Sequence, residues 1–130
     1  SQNDGRPDSP ACLLFIAICH GAVSDQFKRI RQLVDICQAA RHLPYGLEEE
    51  KFAEMVKRQR AEPFTVSALD FAGRIFAEPR CHDIAREFGS RWAAHATRTL
   101  VPPSIFSATV STDSRAIWRR KTLRELLMRA

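Results

Sequence analysis

The strongest constraint on the fold is an apolar run that begins "CLLFIAICHG" at Cys12. With its apolar neighbours the run covers residues 11–23, well short of the roughly 20 residues that a membrane-spanning helix needs. The preceding "SQNDGRPDSP" lacks a basic segment, and no small-residue cleavage site follows, so the pattern does not favour a signal peptide. We therefore expect the run to form the central, buried helix of a bundle.

Apolar residues recur at helical spacing along most of the chain, with prolines between the repeats. The pattern predicts about six helices and therefore an all-α, single-domain bundle with a basic C-terminal helix. Ser9 and Pro10 suit the cap and first position of the first helix. The helices are expected over 10–20, 24–43, 47–60, 65–78, 81–100 and 112–130. The predicted boundaries are a flexible tail (1–9), a helical bundle (10–101), a linker or short edge strand (102–111) and a basic amphipathic helix (112–130).

The positive charge is concentrated near the C-terminus. The chain carries a net charge of +5, and residues 104–130 contribute +4 of it. Such a segment can meet nucleic acid, an anionic membrane surface or an acidic partner, or it can be a solvated helix face. Trp118 can likewise stack on a base, lie at a membrane interface or pack on the bundle. The candidate contacts for an anionic partner are Arg115, Trp118, Arg119, Arg120, Lys121 and Arg124.

The four cysteines show neither a CxxC pair nor a zinc-like spacing with histidine. Three of them lie within apolar helical patterns, where a free cysteine behaves as a small buried hydrophobe. We therefore predict reduced thiols and a cytoplasmic location. The chain does not begin with Met, and we expect it to be a segment of a longer protein.

Three polar residues stand out among the apolar helices. His20 closes the apolar run, where a histidine can cap a helix end or can act as a ligand or proton shuttle. Asp35 lies between Val34 and Ile36, one turn after Arg31, so it can pair with Arg31 or face a neighbouring domain or a substrate. His20, Arg31 and Asp35 are the candidate contacts at a domain seam or with an acceptor.

Catalytic motifs are not found in the sequence. It has no glycine-rich phosphate loop, no H-E-x-x-H and no G-x-S-x-G. Asp113 is followed by Arg115 where two-metal chemistry would need a second carboxylate. We therefore assign no catalytic, cofactor-binding or metal-binding residue to this chain. A helix-turn-helix over 81–100 is weakly indicated, because its alignment puts His95 and Arg98 at positions that aliphatic residues normally fill.

One family resemblance covers roughly residues 11–79. The stretches "LLFIAICHGAV", "FKRIRQLVDICQAA", "LEEEKFAEMVKRQR" and "ALDFAGRIFAEP" resemble the helical C-terminal half of uncharacterised nucleotidyltransferases with a polymerase-beta-like core. Only His20, Gly21 and Asp35 are distinctive, and "VSDQ" replaces the aromatic residues that the family pattern has after the histidine. The resemblance implies a parent enzyme that uses Mg²⁺ and a nucleoside triphosphate, with its Gly-Ser and D-x-D motifs upstream of this chain.

The sequence therefore leaves three functions open. The first is a helical accessory domain that positions substrate in a nucleotidyltransferase-like protein without being catalytic itself. The second is a protein interaction domain that docks a partner through the basic C-terminal helix. The third is a nucleic-acid-binding module. The acceptor, the nucleotide and the oligomeric state are not indicated by any pattern in the chain.

Overall fold

The computed structural model describes residues 9–24, 30–89, 91–100 and 114–129, with side chains except those of 22–24, 114–120 and 129. The described part is all-helical, which confirms the predicted fold class, but it contains seven α-helices instead of about six. They are α1 (Pro10–Ile18), α2 (Ile30–Arg41), α3 (Leu47–Arg58), α4 (Glu62–Phe76), α5 (Pro79–Ala85), α6 (Arg91–Leu100) and α7 (Ser114–Arg129), with a π-helical segment (Cys19–Ser24) after α1. The predicted tail over 1–8 and the linker or strand over 102–111 lie outside the described residues.

The start of α1 forms as its sequence predicts. The Ser9 hydroxyl accepts a hydrogen bond from the Cys12 backbone N–H at 3.2 Å, and Pro10 occupies the first turn. We expected Gly21 to end this helix, but it lies inside the π-helical segment. A Cβ at Gly21 would come within 3.0 Å of the Ile36 side chain. The missing side chain therefore allows the end of α1 to approach α2 closely.

The central helix is α4, and the prediction that α1 has this place is wrong. Helix α4 packs against α2, α5 and α6 and also contacts α1, α3 and α7. Its residues are buried from Thr65 to Gly73 without interruption. The small side chains of Ala68 and Ala72 let neighbours approach it closely from several sides. Helix α1 lies at the edge instead, and its Leu13 and Ile16 are 50% and 43% exposed.

The single helix expected over 81–100 is interrupted. Helix α5 ends at Ala85, and the backbone tightens there, because Glu87 and Phe88 donate to carbonyls only three residues back. Helix α6 begins at Arg91 and buries Ala93 and Thr97. Trp92, expected on the core side, is 42% exposed as a result.

Helix α7 belongs to the same bundle. It packs against α6 and α4, with Leu123 and Leu127 in the hydrophobic core. The apolar spacing of Leu123, Leu126 and Leu127 predicts that all three face inward, but Leu126 is 41% exposed. The basic C-terminal segment thus contributes apolar side chains to the core as well as charge.

A glycine in α4 sets how closely α5 can approach. A Cβ at Gly73 would lie 2.9 Å from His82 Nε2 and 3.1 Å from the Cys81 Cβ. We expect Gly73→Ala to destabilise the fold by about 1–2 kcal/mol, because the added methyl group overpacks this contact. The matched control is Gly89→Ala, where nothing lies within 4 Å of the added Cβ. Urea unfolding measures both variants, and equal stability losses would contradict the close α4–α5 contact.

Candidate docking face and cationic pocket

Helix α1 presents a face of large apolar side chains to solvent. We name Leu13 and Ile16 the docking face; they are three residues apart and therefore on the same side of the helix. Ile30, at the start of α2, is exposed to a similar extent, 49%. Neighbouring exposed aliphatic side chains of this size are typical of surfaces that contact another protein.

A groove between α1 and α2 lies directly beside the docking face. Its volume is about 350 Å³. Helix α1 lines the groove with Pro10, Leu13 and Ala17. The other side is lined by Asp35, Gln38 and Ala39 of α2 and by His42, which directly follows α2. The polar groups of α2 therefore form one edge of an otherwise apolar depression.

The predicted seam residues are all exposed, and one of them lines this groove. Asp35 shares the groove with Leu13, whereas His20 and Arg31 do not line it. The ion pairs among the described side chains do not include Arg31 with Asp35, and the His20 ring has no hydrogen bond to a described residue. All three side chains are therefore available to a partner.

The predicted anionic-partner residues lie on α7. The side chains of Arg115, Trp118, Arg119 and Arg120 are outside the described part of the chain. Lys121 is exposed. Arg124 is only half exposed, and its Nε is buried without a hydrogen-bond partner among the described residues. Arg124 is therefore less open to a partner than the sequence predicts.

The cysteines are four free thiols, as the sequence predicts. Cys37 and Cys81 are buried between α2 and α5, with their sulfur atoms 3.9 Å apart. The neighbouring Cys37 sulfur and burial raise the pKa of the Cys81 thiol above its ordinary value. The Cys81 thiol is therefore a poor nucleophile, and both buried sulfur atoms serve packing.

A second depression, the cationic pocket, lies between α4, α5 and α6. Its volume is about 620 Å³. Five of its lining residues are arginine or histidine: His82, Arg86, Arg91, His95 and Arg98. Val66, Ala85, Phe88 and Ala94 form the apolar part of the lining, and Asp70 is the one carboxylate.

Asp70 is the anchor of the pocket wall. It is 3% exposed and accepts hydrogen bonds from two arginines of different helices. Arg98 Nη2 lies 2.7 Å from Oδ1, and Arg74 Nε lies 3.0 Å from Oδ2. The hydrogen bond and the charge of Asp70 raise the pKa of Arg98. The ion-pair cluster therefore fixes the guanidinium of Arg98 at the edge of the pocket.

The sequence contains the spacing that would have indicated this pocket, although we did not predict it. Arg91, His95 and Arg98 are spaced four and three residues apart, and this spacing puts them on the same face of a helix. His82 and Arg86 also lie four apart. We expected one unbroken helix over 81–100, and such a helix cannot fold back to form a pocket. The net charge of residues 1–103 is also close to zero, so the charge balance did not indicate a local cluster of cationic side chains.

Comparison with known proteins adds no relative. No family model matches the chain, and no curated protein or solved structure matches it either. The docking face, the cationic pocket and the residues around them are therefore the features that bear on function.

Two further structural features are absent from the described ranges. None of the helices there is long and apolar enough to cross a membrane. Groups of three or more histidine, cysteine, aspartate or glutamate residues that could hold a metal ion do not occur there.

Proposed function

We propose that the chain is a helical accessory domain that docks through α1 onto the catalytic domain of a nucleotidyltransferase-like protein. The observation that carries the proposal is the half-exposed pair Leu13 and Ile16 beside the groove that contains Asp35. The distinctive residues of the family resemblance lie in the same region, at the end of the apolar helix and on α2.

The arrangement resembles a protein contact in its chemistry. An interface commonly has apolar side chains at its centre and polar groups around them. Leu13 and Ile16 supply the apolar centre, while Asp35 and His42 supply polar groups at the edge of the groove. Covering a half-exposed leucine contributes on the order of 1 kcal/mol, so the two together favour association measurably.

Under this proposal the chemistry belongs to the partner domain. The Mg²⁺ ion and the nucleoside triphosphate that the resemblance implies need converging carboxylates. The described residues of this chain do not fit that requirement, because they contain no suitable cluster. The free thiols favour a reducing compartment, and we accordingly propose a cytoplasmic location.

The second candidate function is docking through the basic helix α7. Leu126 and Met128 are 41% and 62% exposed there, so α7 also presents apolar side chains. We rank it below α1 because the other exposed side chains described on α7, Lys121 and Glu125, are charged, and both residue types are depleted from interface centres.

A pair of matched substitutions tests the proposal and separates the two candidates. We expect Leu13→Glu, in the protein that joins this chain to its catalytic domain, to lower nucleotide transfer by about tenfold or more, because a buried carboxylate destabilises the contact. The matched control, Leu126→Glu, changes a leucine on α7 that is 41% exposed, against 50% for Leu13, and it should leave transfer unchanged.

Circular dichroism of each isolated variant shows whether the bundle itself remains folded. The opposite ranking, with transfer lost in Leu126→Glu and kept in Leu13→Glu, would favour docking through α7. Unchanged transfer in Leu13→Glu and in Asp35→Ala together would exclude α1 as the seam.

A further inference from the structure

We propose that the cationic pocket binds a small phosphorylated molecule, a phosphate monoester that carries an apolar organic group. The inference is independent of the docking face, since the pocket lies between α4, α5 and α6. It depends on three features of the pocket: its excess of positive charge, the fixed position of one guanidinium, and its apolar wall.

Positive charge exceeds negative charge around the pocket. Two of its arginines have carboxylate partners: Arg98 pairs with Asp70, and Arg86 pairs with Asp83 at 3.1 Å. Asp70 is also shared with Arg74. The lining of the pocket itself contains three guanidinium groups and one carboxylate, so its net charge is positive. A concave surface lined by one sign of charge concentrates its field on an ion of the opposite sign.

Among the arginines that line the pocket, Arg91 is the one without a partner in the described part of the chain. Its side chain makes no hydrogen bond or ion pair to any described residue, and it lies at the first position of α6. Arg80 is a useful contrast, because its guanidinium is buried and satisfied by Glu49 and the Leu43 carbonyl. Arg80 therefore serves the fold, whereas Arg91 is free to bind an anion.

The rings of His82 and His95 are also available. Neither ring makes a hydrogen bond to a described residue, and both line the pocket. A phosphate group has three acceptor oxygens, so it can accept from Arg91 and from ring N–H groups at the same time. The arrangement thus offers more donors than a carboxylate ligand would use.

Arg98 is held in place before any ligand arrives. Asp70 accepts from both its Nε, at 3.3 Å, and its Nη2, at 2.7 Å. Over half of the Arg98 side chain is nonetheless exposed, which leaves Nη1 for a ligand. A donor that is already ordered loses little conformational freedom on binding, and it therefore contributes more to affinity.

The apolar lining selects an organic phosphate over the bare ion. Val66, Ala85, Phe88 and Ala94 line the same cavity as the charged groups. A volume of about 620 Å³ also lies within the range of sites for small organic ligands. Inorganic phosphate would leave the apolar wall in contact with water.

Calorimetric titration of the full chain at pH 7.5 tests the proposal with phenyl phosphate as the probe. We expect saturable binding about tenfold tighter than that of inorganic phosphate, since the phenyl ring adds apolar contact. Arg91→Gln should weaken the binding by about tenfold or more, because it removes a charge-assisted hydrogen bond. Arg58→Gln is the matched control, since Arg58 is an exposed arginine on α3.

Each outcome decides the proposal. The proposal is overturned if phenyl phosphate shows no saturable binding up to about 10 mM, because a dissociation constant above that concentration means very weak affinity. Equal weakening by Arg91→Gln and Arg58→Gln would show general charge attraction and would also overturn it. A 20-nucleotide single strand is titrated as well: if it binds more tightly than phenyl phosphate and its binding depends on Arg91, the pocket is part of a nucleic-acid-binding surface and the proposal is overturned. Leu13→Glu should leave phenyl phosphate binding intact, so failure of the docking proposal is distinguishable.

Discussion

Phe71→Ala is expected to lower the free energy of unfolding by about 3–5 kcal/mol, one of the two largest effects in this chain. Phe71 is fully buried in α4, the helix that contacts all six of the other α-helices described. Truncation removes the transfer free energy of the ring and leaves a cavity that the rigid neighbours only partly fill. It also removes the ring over which the Arg74 guanidinium lies, at 5.6 Å.

The matched control is on the same helix. Phe76 lies five residues later and is 36% exposed, so Phe76→Ala should cost about 1 kcal/mol or less. Urea unfolding followed by circular dichroism measures both variants in the same chain. A comparable loss of stability in the two variants would mean that Phe76 also lies on the buried side of α4, which would contradict the structure. Phe76 follows Leu69 and Ala72 at helical spacing, and that pattern predicts a core position for a side chain that is 36% exposed.

Local signals in the sequence were sufficient for much of the helix pattern. The start of α1 followed from Ser9 and Pro10, since both residues act within one turn of their own position. The first turn of α3, with Glu48 to Glu50, and its basic last turn also match the helix dipole. These features need no knowledge of the rest of the fold.

Which helix lies at the centre of the bundle could not be predicted from local signals. Hydrophobicity placed α1 at the centre, but the position of a helix depends on which neighbours fit around it. The small side chains of α4 admit close neighbours, and the bulkier α1 is left at the edge with Leu13 and Ile16 in solvent. This reversal produced the docking face, because a helix apolar on all sides leaves apolar residues exposed when it is peripheral.

The candidate sites differ in the same respect. Asp35 was singled out because an acidic residue between apolar neighbours is visible locally, and the structure places it in the groove beside Leu13. The cationic pocket depends on contacts between distant parts of the chain. Asp70 and Arg98 are 28 residues apart, and no periodicity within a single helix relates them.

Asp70→Asn is expected to lower the free energy of unfolding by about 2–3 kcal/mol, the second of the two largest effects. Asp70 is nearly inaccessible to water, and its carboxylate is shared by Arg74 and Arg98. Neutralising one partner of a buried ion pair leaves the others without compensation. Arg74 is most affected, because its Nη2 is already buried without a hydrogen-bond partner among the described residues. The cost stays below the range for a fully buried pair since the Arg98 side chain is 55% exposed.

Asp83→Asn is the matched control for this cluster. Asp83 pairs with Arg86 three residues later, but both side chains are exposed, so its loss should be within about 0.5 kcal/mol. A double-mutant cycle of Asp70→Asn with Arg98→Gln then isolates the pair, and we expect a coupling free energy of about 1 kcal/mol. Additive effects would show that Asp70 stabilises α4 through Arg74 alone. In that case Arg98 would not be held for a ligand, and phenyl phosphate binding should be the same in Asp70→Asn as in the unmodified chain.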